Sequence, residues 1–261
     1  MLVEGKKIAS DLTMQVSEAV SRLERPLKLA AITCAPNFET QKYLDMKKQK
    51  AASVGIHLNV IEMPSESSTD DFIDCISQVA KETDGIVVQL PLPPKVDRDE
   101  VLAAVPLEKD PDGFRYGEKG ACLSPVIGAI DEISLRYGVE WAGKQVAIIG
   151  EGRLVGVPAI QYAKQRGSVV SIFNKENFDS SQLAEADIII SGVGVPNLID
   201  YDDVKSGVVI FDAGTSEDGG ELVGDVSPAV VSKAALVTPV PGGIGPITVA
   251  YLLKNLVALV K

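Results

Sequence analysis

Tyr43 and Lys47 are the residues whose types and spacing in this sequence best suit proton transfer beside a bound ligand. They stand one helical turn apart in a segment that predicts a helix over residues 37–53, so both side chains lie on one face. A tyrosine ring can stack on an aromatic ligand, and a lysine beside it can move a proton when burial or a nearby cation lowers its pKa. Because Lys42 and Lys48 stand close by, an ordinary pair of surface side chains is the alternative.

Polar residues also stand where two other predicted segments end. Gln89 closes a predicted buried strand over residues 85–90, and the carboxyl end of a parallel strand is a good place for ligand contact. Asp110 and Asp112 lie in the turn Lys109–Phe114, whose Asp-Pro and Asp-Gly steps turn chemistry alone can explain. Gln89 is therefore the better supported candidate of the three.

A glycine-rich loop follows the predicted strand over residues 146–149. Glycines between a strand and a helix allow a tight bend and let a pyrophosphate approach the helix N-terminus closely. The loop therefore predicts dinucleotide binding, and a glycine-tight turn that binds nothing is the alternative. Its residues are Gly150, Glu151, Gly152, Arg153, Leu154, Val155 and Gly156.

Two residues give opposing indications about the adenine ribose of the dinucleotide. Lys175 follows the strand predicted over residues 169–173, and a basic residue there favours the 2′-phosphate of NADP. Glu151 would repel the same phosphate if its side chain points that way. We give Lys175 the greater weight and expect NADP, with NAD as the alternative cofactor. A solvated loop charge is the alternative role for Lys175.

Prolines and glycines are crowded into the segment Thr238–Thr248, just before a last helix predicted over residues 247–260. Proline fixes the backbone and glycine leaves it bare, so the combination suits close approach of a flat or anionic ligand at a helix N-terminus. A tight turn that only reverses the chain is the alternative.

Composition excludes several classes of function. The net charge of −11 argues against binding to nucleic acid or to an anionic membrane, because such binding needs clustered lysines and arginines. No uncharged apolar run reaches membrane-spanning length, and we expect no signal peptide. With one histidine, His57, and three widely separated cysteines, we expect no metal site and a reducing, cytoplasmic location.

Helix and strand patterns alternate along the whole chain, which predicts an α/β fold with parallel sheets. The pattern restarts at the strand over residues 146–149, so we expect two α/β domains. The first is an N-terminal parallel-sheet domain over residues 1–120, on which the C-terminal helix, 246–261, packs back. The second is a Rossmann-like dinucleotide-binding domain over residues 121–245.

Taken together, these segments resemble the bifunctional methylenetetrahydrofolate dehydrogenase/cyclohydrolase family of the FolD type. The resemblance covers nearly the whole chain, in the family's order, and its two proline-rich segments are the most specific. The segments that carry it are Tyr43 to Lys47, Val88 to Pro93, Lys109 to Phe114, Gly150 to Pro158, Asp212 to Gly214, Val223 to Val226 and Thr238 to Thr248.

The resemblance implies a catalytic first domain, a second domain that binds NADP, and a folate cleft between them. It implies oxidation of 5,10-methylenetetrahydrofolate to the 5,10-methenyl form, followed by hydrolysis to 10-formyltetrahydrofolate, in one-carbon metabolism and purine biosynthesis. It also implies a homodimer paired through the Rossmann-like domains, and no nucleic-acid or membrane partner.

The resemblance also assigns roles to residues. Lys47 matches the family's proton-handling lysine, and Gln89 matches the glutamine that hydrogen-bonds it. Tyr43 matches the tyrosine that stacks on the folate, and Asp112 matches the aspartate that holds the pterin. We expect further substrate contacts at Leu90, Pro91, Pro241, Gly242 and Gly243, and dinucleotide contacts at Gly150, Glu151, Gly152, Arg153, Gly156, Lys175, Gly192 and Val193.

Three departures from the family's pattern bear on these roles. Glu151-Gly152 stands where the family usually has Arg-Ser, which concerns recognition of the 2′-phosphate. The stretch from Arg115 to Cys122 is shorter than usual, and Ala121–Pro125 differs from the usual Pro-Cys-Thr-Pro. A dehydrogenase without cyclohydrolase activity and a non-catalytic folate- or nucleotide-binding regulator are therefore the alternatives.

Overall fold

The computed structural model describes residues 1–119 and 121–260 of the chain. The chain divides into two compact units. The first unit comprises Ser10–Pro125 with Val249–Lys261, and the second comprises Met1–Ala9 with Val126–Thr248. The domain bounds expected from the sequence stay a prediction.

A three-stranded parallel sheet in the order β2-β1-β3 forms the centre of the first unit. The helix α4 was not predicted, because six residues are too few to show a helical period. The elements are α1 (Gly5–Ser21, which begins in the second unit), β1 (Leu27–Cys34), α2 (Phe38–Ser53), β2 (Ile56–Met63), α3 (Thr69–Val79), β3 (Gly85–Val88), α4 (Arg98–Ala103) and a 3₁₀ helix at Leu107–Lys109.

Strand β1 is buried on both of its faces, as the central strand of a covered parallel sheet must be. Leu29 and Ala31 belong to a core cluster that continues into α1 and α2, whereas Ile32 and Cys34 belong to a second cluster with α3 and α4. The alternation of side chains along the strand separates the two clusters.

The C-terminal helix α7 (Ile244–Leu259) completes the first of these clusters. Its residues Leu252, Leu253 and Leu256 are buried there. This confirms the expectation that the last helix packs back on the N-terminal domain. Pro246 lies in its first turn, where a missing N–H leaves no intrahelical hydrogen bond unmade.

A five-stranded parallel sheet in the order β10-β7-β6-β4-β5 forms the second unit, with a small β8-β9 hairpin beside it. The two parallel sheets with their helices confirm the predicted α/β fold class. The elements are α5 (Pro125–Tyr137), β4 (Gln145–Ile149), α6 (Gly156–Gln165), β5 (Val169–Phe173), β6 (Ile188–Ser191), β7 (Val209–Asp212), β8 (Ser216–Asp218), β9 (Glu221–Val223), β10 (Leu236–Val237) and 3₁₀ helices at Ser180–Glu185, Tyr201–Asp203 and Pro228–Ser232.

The strand order reverses once in each parallel sheet. Strands β5 and β6 lie on opposite sides of β4, and β2 and β3 lie on opposite sides of β1. Open α/β sheets bind ligands outside the carboxyl ends of the strands at such a reversal. Ligand-binding sites are therefore expected among the residues that follow β1, β3, β4 and β6.

Residues 1–9 lie in the second unit, whereas the sequence analysis places them in the first domain. The N–H of Val3 donates to the carbonyl of Val237 at 3.0 Å, and the N–H of Val237 donates to the carbonyl of Met1 at 2.9 Å. The segment thus runs beside β10 at the edge of the sheet. A pairing of so few residues carries no hydrophobic period that a sequence could reveal.

The buried carboxylate of Asp225 holds the loop that follows β6. It accepts a hydrogen bond from the Ser191 hydroxyl at 2.6 Å and from the N–H groups of Val193 at 3.0 Å and Val195 at 2.8 Å. A Cβ at Gly214 would lie 2.1 Å from one of its oxygens, so only glycine fits there. Hydrogen bonds from three directions fix the course of this loop.

A second buried carboxylate, Asp212, holds the loop that follows β7. It accepts hydrogen bonds from the N–H of Gly214 at 2.9 Å and of Val226 at 3.0 Å. Burial, and after it the charge of Asp225, raises the pKa of Asp212 to about 6, despite these hydrogen bonds.

We expect Asp212 to make stability depend on pH in a way that Asp212→Asn removes. Because the pKa is raised in the folded state, the folded protein binds more protons than the unfolded chain between about pH 4 and 6. The free energy of unfolding therefore falls by about 2 kcal/mol as pH rises through this window. Asparagine cannot ionise, so the variant lacks this loss, although it is the less stable protein because one acceptor is gone.

Urea unfolding of both proteins at pH 4.5 and pH 7.5 measures the effect. The difference in the free energy of unfolding between the wild type and Asp212→Asn should be smaller at pH 7.5 than at pH 4.5. A gap of equal size at the two pH values would contradict the assignment.

Candidate active site

Helix α2 places Lys47 on its buried face. Asn37 caps the helix by accepting a hydrogen bond from the N–H of Thr40 at 2.8 Å. Leu44 and Ala51 are fully buried in the core cluster, and Lys47 lies between them at helical spacing with 7% of its surface exposed. The surface-pair alternative is therefore wrong for Lys47.

The ammonium of Lys47 has two polar or aromatic neighbours within the first unit. Its Nζ donates to Oε1 of Gln89 at 3.1 Å and lies 4.8 Å from the centre of the Tyr43 ring. Gln89 in turn donates through Nε2 to the carbonyl of Leu90 at 3.0 Å, which fixes the amide with its oxygen toward the lysine. The structure thus brings together Tyr43, Lys47 and Gln89, as the resemblance implied.

Gln89 is positioned by the sheet itself. It comes directly after β3, and its N–H donates to the carbonyl of Ile32 in β1 at 2.8 Å. Leu90 and Pro91 follow it, half-buried and exposed respectively, and are joined by a cis peptide bond. The expected folate contacts at Leu90 and Pro91 therefore lie beside the lysine–glutamine pair.

The turn over residues 109–115 is fastened at both ends. The ammonium of Lys109 donates to the carbonyls of Ala80 and Thr83, the latter at 2.6 Å. Asn255 of α7 donates to the carbonyls of Pro111 at 2.9 Å and Leu123 at 2.8 Å. Asn255 was missed by the sequence analysis, because a single amide in an apolar helix gives no signal of a distant partner.

Two carboxyl groups in this turn differ in their surroundings. Burial raises the pKa of Asp112, and the positive charge of Lys47 opposes that rise. Burial, and then the charge of Asp112, raises the pKa of Asp110 to about 6. Asp112 therefore lies within electrostatic reach of Lys47, and the turn brings it to the same cluster.

Cys122 and Ser124 lie close to the backbone of this turn. Gly113 has a φ of +61°, and a Cβ there would lie 2.7 Å from the carbonyl oxygen of Cys122 and 2.8 Å from the N–H of Ser124. Burial, and then the charge of Asp110, raises the pKa of the Cys122 thiol to about 11. The thiol stays protonated at neutral pH, so Cys122 is no nucleophile there.

In the second unit, the loop between β4 and α6 has the shape that a dinucleotide needs. Gly150 has a φ of +92°, and a Cβ at Gly156 would lie 2.0 Å from the carbonyl oxygen of Gly150. A Cβ at Gly152 would meet no atom within 4 Å, so the space over that backbone is open. Half-buried Arg153 follows it. The tight turn and the open space fit a pyrophosphate at the start of α6.

The loop after β6 packs against this glycine-rich loop. A Cβ at Gly150 would lie 2.6 Å from Cγ1 of Val193, and a Cβ at Gly192 would lie 2.7 Å from Cγ1 of Val155. Gly192 and Val193 therefore lie beside Gly150 at the point where the strand order reverses, as expected of dinucleotide contacts.

The ribose candidates lie at the ends of β4 and β5. Oε2 of Glu151 accepts a hydrogen bond from Nδ2 of Asn174 at 2.9 Å. Lys175, the next residue, is exposed. Glu151 and Lys175 therefore lie on adjoining loops. Both stay candidates for contact with the adenine ribose of the dinucleotide.

Pro241, Gly242 and Gly243 lie in the second unit, just before α7, whereas Lys47 belongs to the first. The N–H of Gly243 donates to the carbonyl of Pro239 at 2.7 Å, and a Cβ at Gly5 would lie 2.0 Å from the carbonyl oxygen of Gly243. The segment is a tight turn packed on the start of α1, and its role in folate binding stays a prediction.

Residues 1–119 and 121–260 carry neither a membrane-spanning helix nor a cluster of metal-binding side chains. Within those ranges no helix combines the length and the apolar character needed to cross a membrane. No group of three or more His, Cys, Asp or Glu side chains among them could hold a metal ion.

Comparisons with known proteins agree with this geometry. Residues 3–112 match the catalytic domain of tetrahydrofolate dehydrogenase/cyclohydrolase, and residues 125–261 match the NAD(P)-binding domain of the same family. The bifunctional protein FolD of Mycoplasmopsis synoviae is 34% identical over 100% of this chain and 99% of its own.

Solved structures give the same result. The bifunctional FolD enzyme of Campylobacter jejuni superposes with a TM-score of 0.95 at 30% identity, over 99% of this chain and 98% of that one. The Trypanosoma brucei enzyme, solved with NADP and an inhibitor, has a TM-score of 0.90 at 28% identity, over 99% and 96%. The chain belongs to the tetrahydrofolate dehydrogenase/cyclohydrolase family.

Proposed function

We propose that the protein oxidises 5,10-methylenetetrahydrofolate to the 5,10-methenyl form with NADP and then hydrolyses that product to 10-formyltetrahydrofolate. One observation carries the proposal: the buried ammonium of Lys47 donates to Gln89 at 3.1 Å beside the Tyr43 ring. The family to which the chain belongs, and relatives named as bifunctional FolD proteins, support both activities.

Four residues of the first unit, Tyr43, Lys47, Gln89 and Asp112, have separate roles in folate binding and proton transfer. The Tyr43 ring offers a face on which the flat pterin stacks. Asp112 accepts hydrogen bonds from the pterin's N–H groups, and such bonds are strong when the acceptor is ionised. The ammonium of Lys47 lies 4.8 Å from the centre of the Tyr43 ring and donates to Gln89, so a folate stacked on that ring places its reactive carbon near the ammonium.

Hydrolysis is the step in which Lys47 acts chemically. Water adds its oxygen to the methenyl carbon, and Lys47, which acts in this step as the neutral amine, takes the proton that the added water releases. The bond from this carbon to N5 then breaks, its electron pair stays on N5, and Lys47 returns its proton to that nitrogen, while the hydroxyl on the carbon releases its own proton to solvent and becomes the formyl carbonyl. Gln89 holds the amine through Oε1 while it changes protonation state, which keeps it at the reacting atoms.

Oxidation needs positioning more than acid–base chemistry. The bound dinucleotide supplies a hydride acceptor. The residues of this chain that would hold it are Gly150, Gly152 and Gly156 in the tight turn and Gly192 and Val193 beside it. In the first unit, Tyr43, Asp112 and Lys47 orient the folate. Orientation is enough in this step, because the methylene group carries no proton that a base must remove.

We further propose a homodimer in the cytoplasm, with no nucleic-acid or membrane partner. Three free cysteines suit a reducing compartment, and the net charge of −11 opposes polyanionic partners. Light scattering of the purified protein measures the assembly.

Replacing Lys47 by methionine tests the hydrolytic role. We expect Lys47→Met to lose hydrolysis of methenyltetrahydrofolate by a factor of about 10²–10⁴, the usual contribution of a positioned acid or base. Folate binding should persist, since methionine fills a similar buried volume. The decay of methenyl absorbance and the fluorescence of bound folate give the two readouts.

Lys48→Met is the matched control, because Lys48 is the exposed next residue and the same charge is lost. It should hydrolyse like the wild type. Full hydrolysis by Lys47→Met would refute the role of Lys47. A wild type that accumulates the methenyl compound without hydrolysing it is a dehydrogenase alone, and one that binds folate without reducing NADP is a regulator.

Replacing Lys175 by alanine tests the preference for NADP. We expect the KM for NADP to rise by a factor of about five, the value of one exposed charge contact to phosphate, while the KM for NAD changes little. Steady-state rates with both dinucleotides measure this. Equal changes in the two KM values would mean that Lys175 does not touch the 2′-phosphate.

A further inference from the structure

The carboxylate of Glu151 is held in one place at the adenine-ribose end of the glycine-rich loop. Glu151 follows β4, Asn174 follows β5, and the two side chains are joined by a 2.9 Å hydrogen bond from Nδ2 to Oε2. The N–H of Gly150 also donates to the carbonyl of Phe173 at 2.7 Å, so the ends of the two strands are tied. Glu151 is exposed, and this hydrogen bond directs its carboxylate toward Asn174.

The orientation of the Asn174 amide is settled by its other contacts. Its Oδ1 accepts from the N–H groups of Glu176 at 3.0 Å and Asn177 at 3.3 Å. A flipped amide would turn its N–H₂ toward those two donors, so Nδ2 must face Glu151. Asn174 therefore cannot offer an acceptor to a ligand, whereas Glu151 keeps its second oxygen for one.

An acidic group at the end of the second strand of a dinucleotide fold accepts hydrogen bonds from the free 2′-hydroxyl of the adenine ribose, and a basic group there suits a 2′-phosphate. Here the residue at that strand end is Asn174, and it delivers the carboxylate of Glu151 from the neighbouring strand. A fixed negative charge repels a phosphate dianion and accepts a hydroxyl.

We propose that Glu151, held by Asn174, sets the relative affinity for the two dinucleotides: it weakens the binding of NADP and strengthens that of NAD. This inference rests on the proposed dehydrogenase activity and concerns the same dinucleotide site. The other charges on these loops are Arg153, Lys175, Glu176 and Asp179. The two cations favour NADP, and Glu151 is the one acidic side chain that Asn174 fixes at the strand ends.

The test compares the wild type with Glu151→Gln, which removes the charge and keeps the length of the side chain. Calorimetry measures the binding of ADP-ribose and of 2′-phospho-ADP-ribose, two probes that differ only in the phosphate. We expect Glu151→Gln to bind the phosphorylated probe about tenfold more tightly than the wild type does. The ratio of kcat/KM for NADP to that for NAD should rise by a factor of about ten or more.

Glu176→Gln is the matched control, because it removes an equal charge from the adjoining exposed loop, the one that follows β5. This variant should leave the ratio of the affinities for the two probes, and the ratio of kcat/KM for NADP to that for NAD, within about twofold of the wild-type values. Exposed charges at a distance are screened by solvent and salt. Asn174→Ala, which frees Glu151, should shift both ratios in the direction of Glu151→Gln, by a smaller factor.

Two results would overturn the inference. One is a Glu151→Gln variant whose affinity ratio for the two probes equals that of the wild type. The other is a Glu176→Gln variant that shifts the ratio as much as Glu151→Gln does. A wild type that binds both probes but oxidises no folate would defeat the proposed function instead, and the calorimetric ratio would still decide the role of Glu151.

Discussion

The burial of one ammonium group, that of Lys47, is the constraint around which the first unit is arranged. An ammonium taken out of water is costly unless an acceptor and an opposite charge are near it. Gln89 supplies the acceptor from the end of β3, and Asp112 supplies the opposing charge from the turn before α5. Leu44 and Ala51, buried on either side of Lys47, keep α2 from rotating it into solvent.

The second unit buries charges of the opposite sign, those of Asp212 and Asp225. Buried carboxylates, rather than an ammonium, hold its loops: Asp225 accepts backbone N–H groups of the loop that follows β6, and Asp212, the last residue of β7, accepts the N–H of Gly214 in the loop that follows. In both units a buried charge fixes a loop, and the fixed loop holds the residues that a ligand would meet.

Much of this architecture could be predicted from the sequence, because helix caps and apolar periods are local. Helix α2, with Asn37 as its cap, covers the stretch predicted as a helix over residues 37–53, and the parallel sheets follow from the alternation of elements. The burial of Lys47 could not be derived from the sequence. Other lysines surround it in α2, so the buried face of the helix shows no clear apolar period. The hydrogen bonds of Asn255 and the bond from Ser191 to Asp225 join residues far apart in the chain, which no local pattern records.

The contribution of α7 to the first unit bears on how the protein is made. Leu252, Leu253 and Leu256 fill a core whose other walls come from the first hundred residues, and Asn255 tethers the turn that carries Asp112. During translation these residues leave the ribosome after the whole second sheet. The N-terminal sheet must therefore wait, with one apolar face uncovered, while about 130 further residues are synthesised at roughly 5–20 per second.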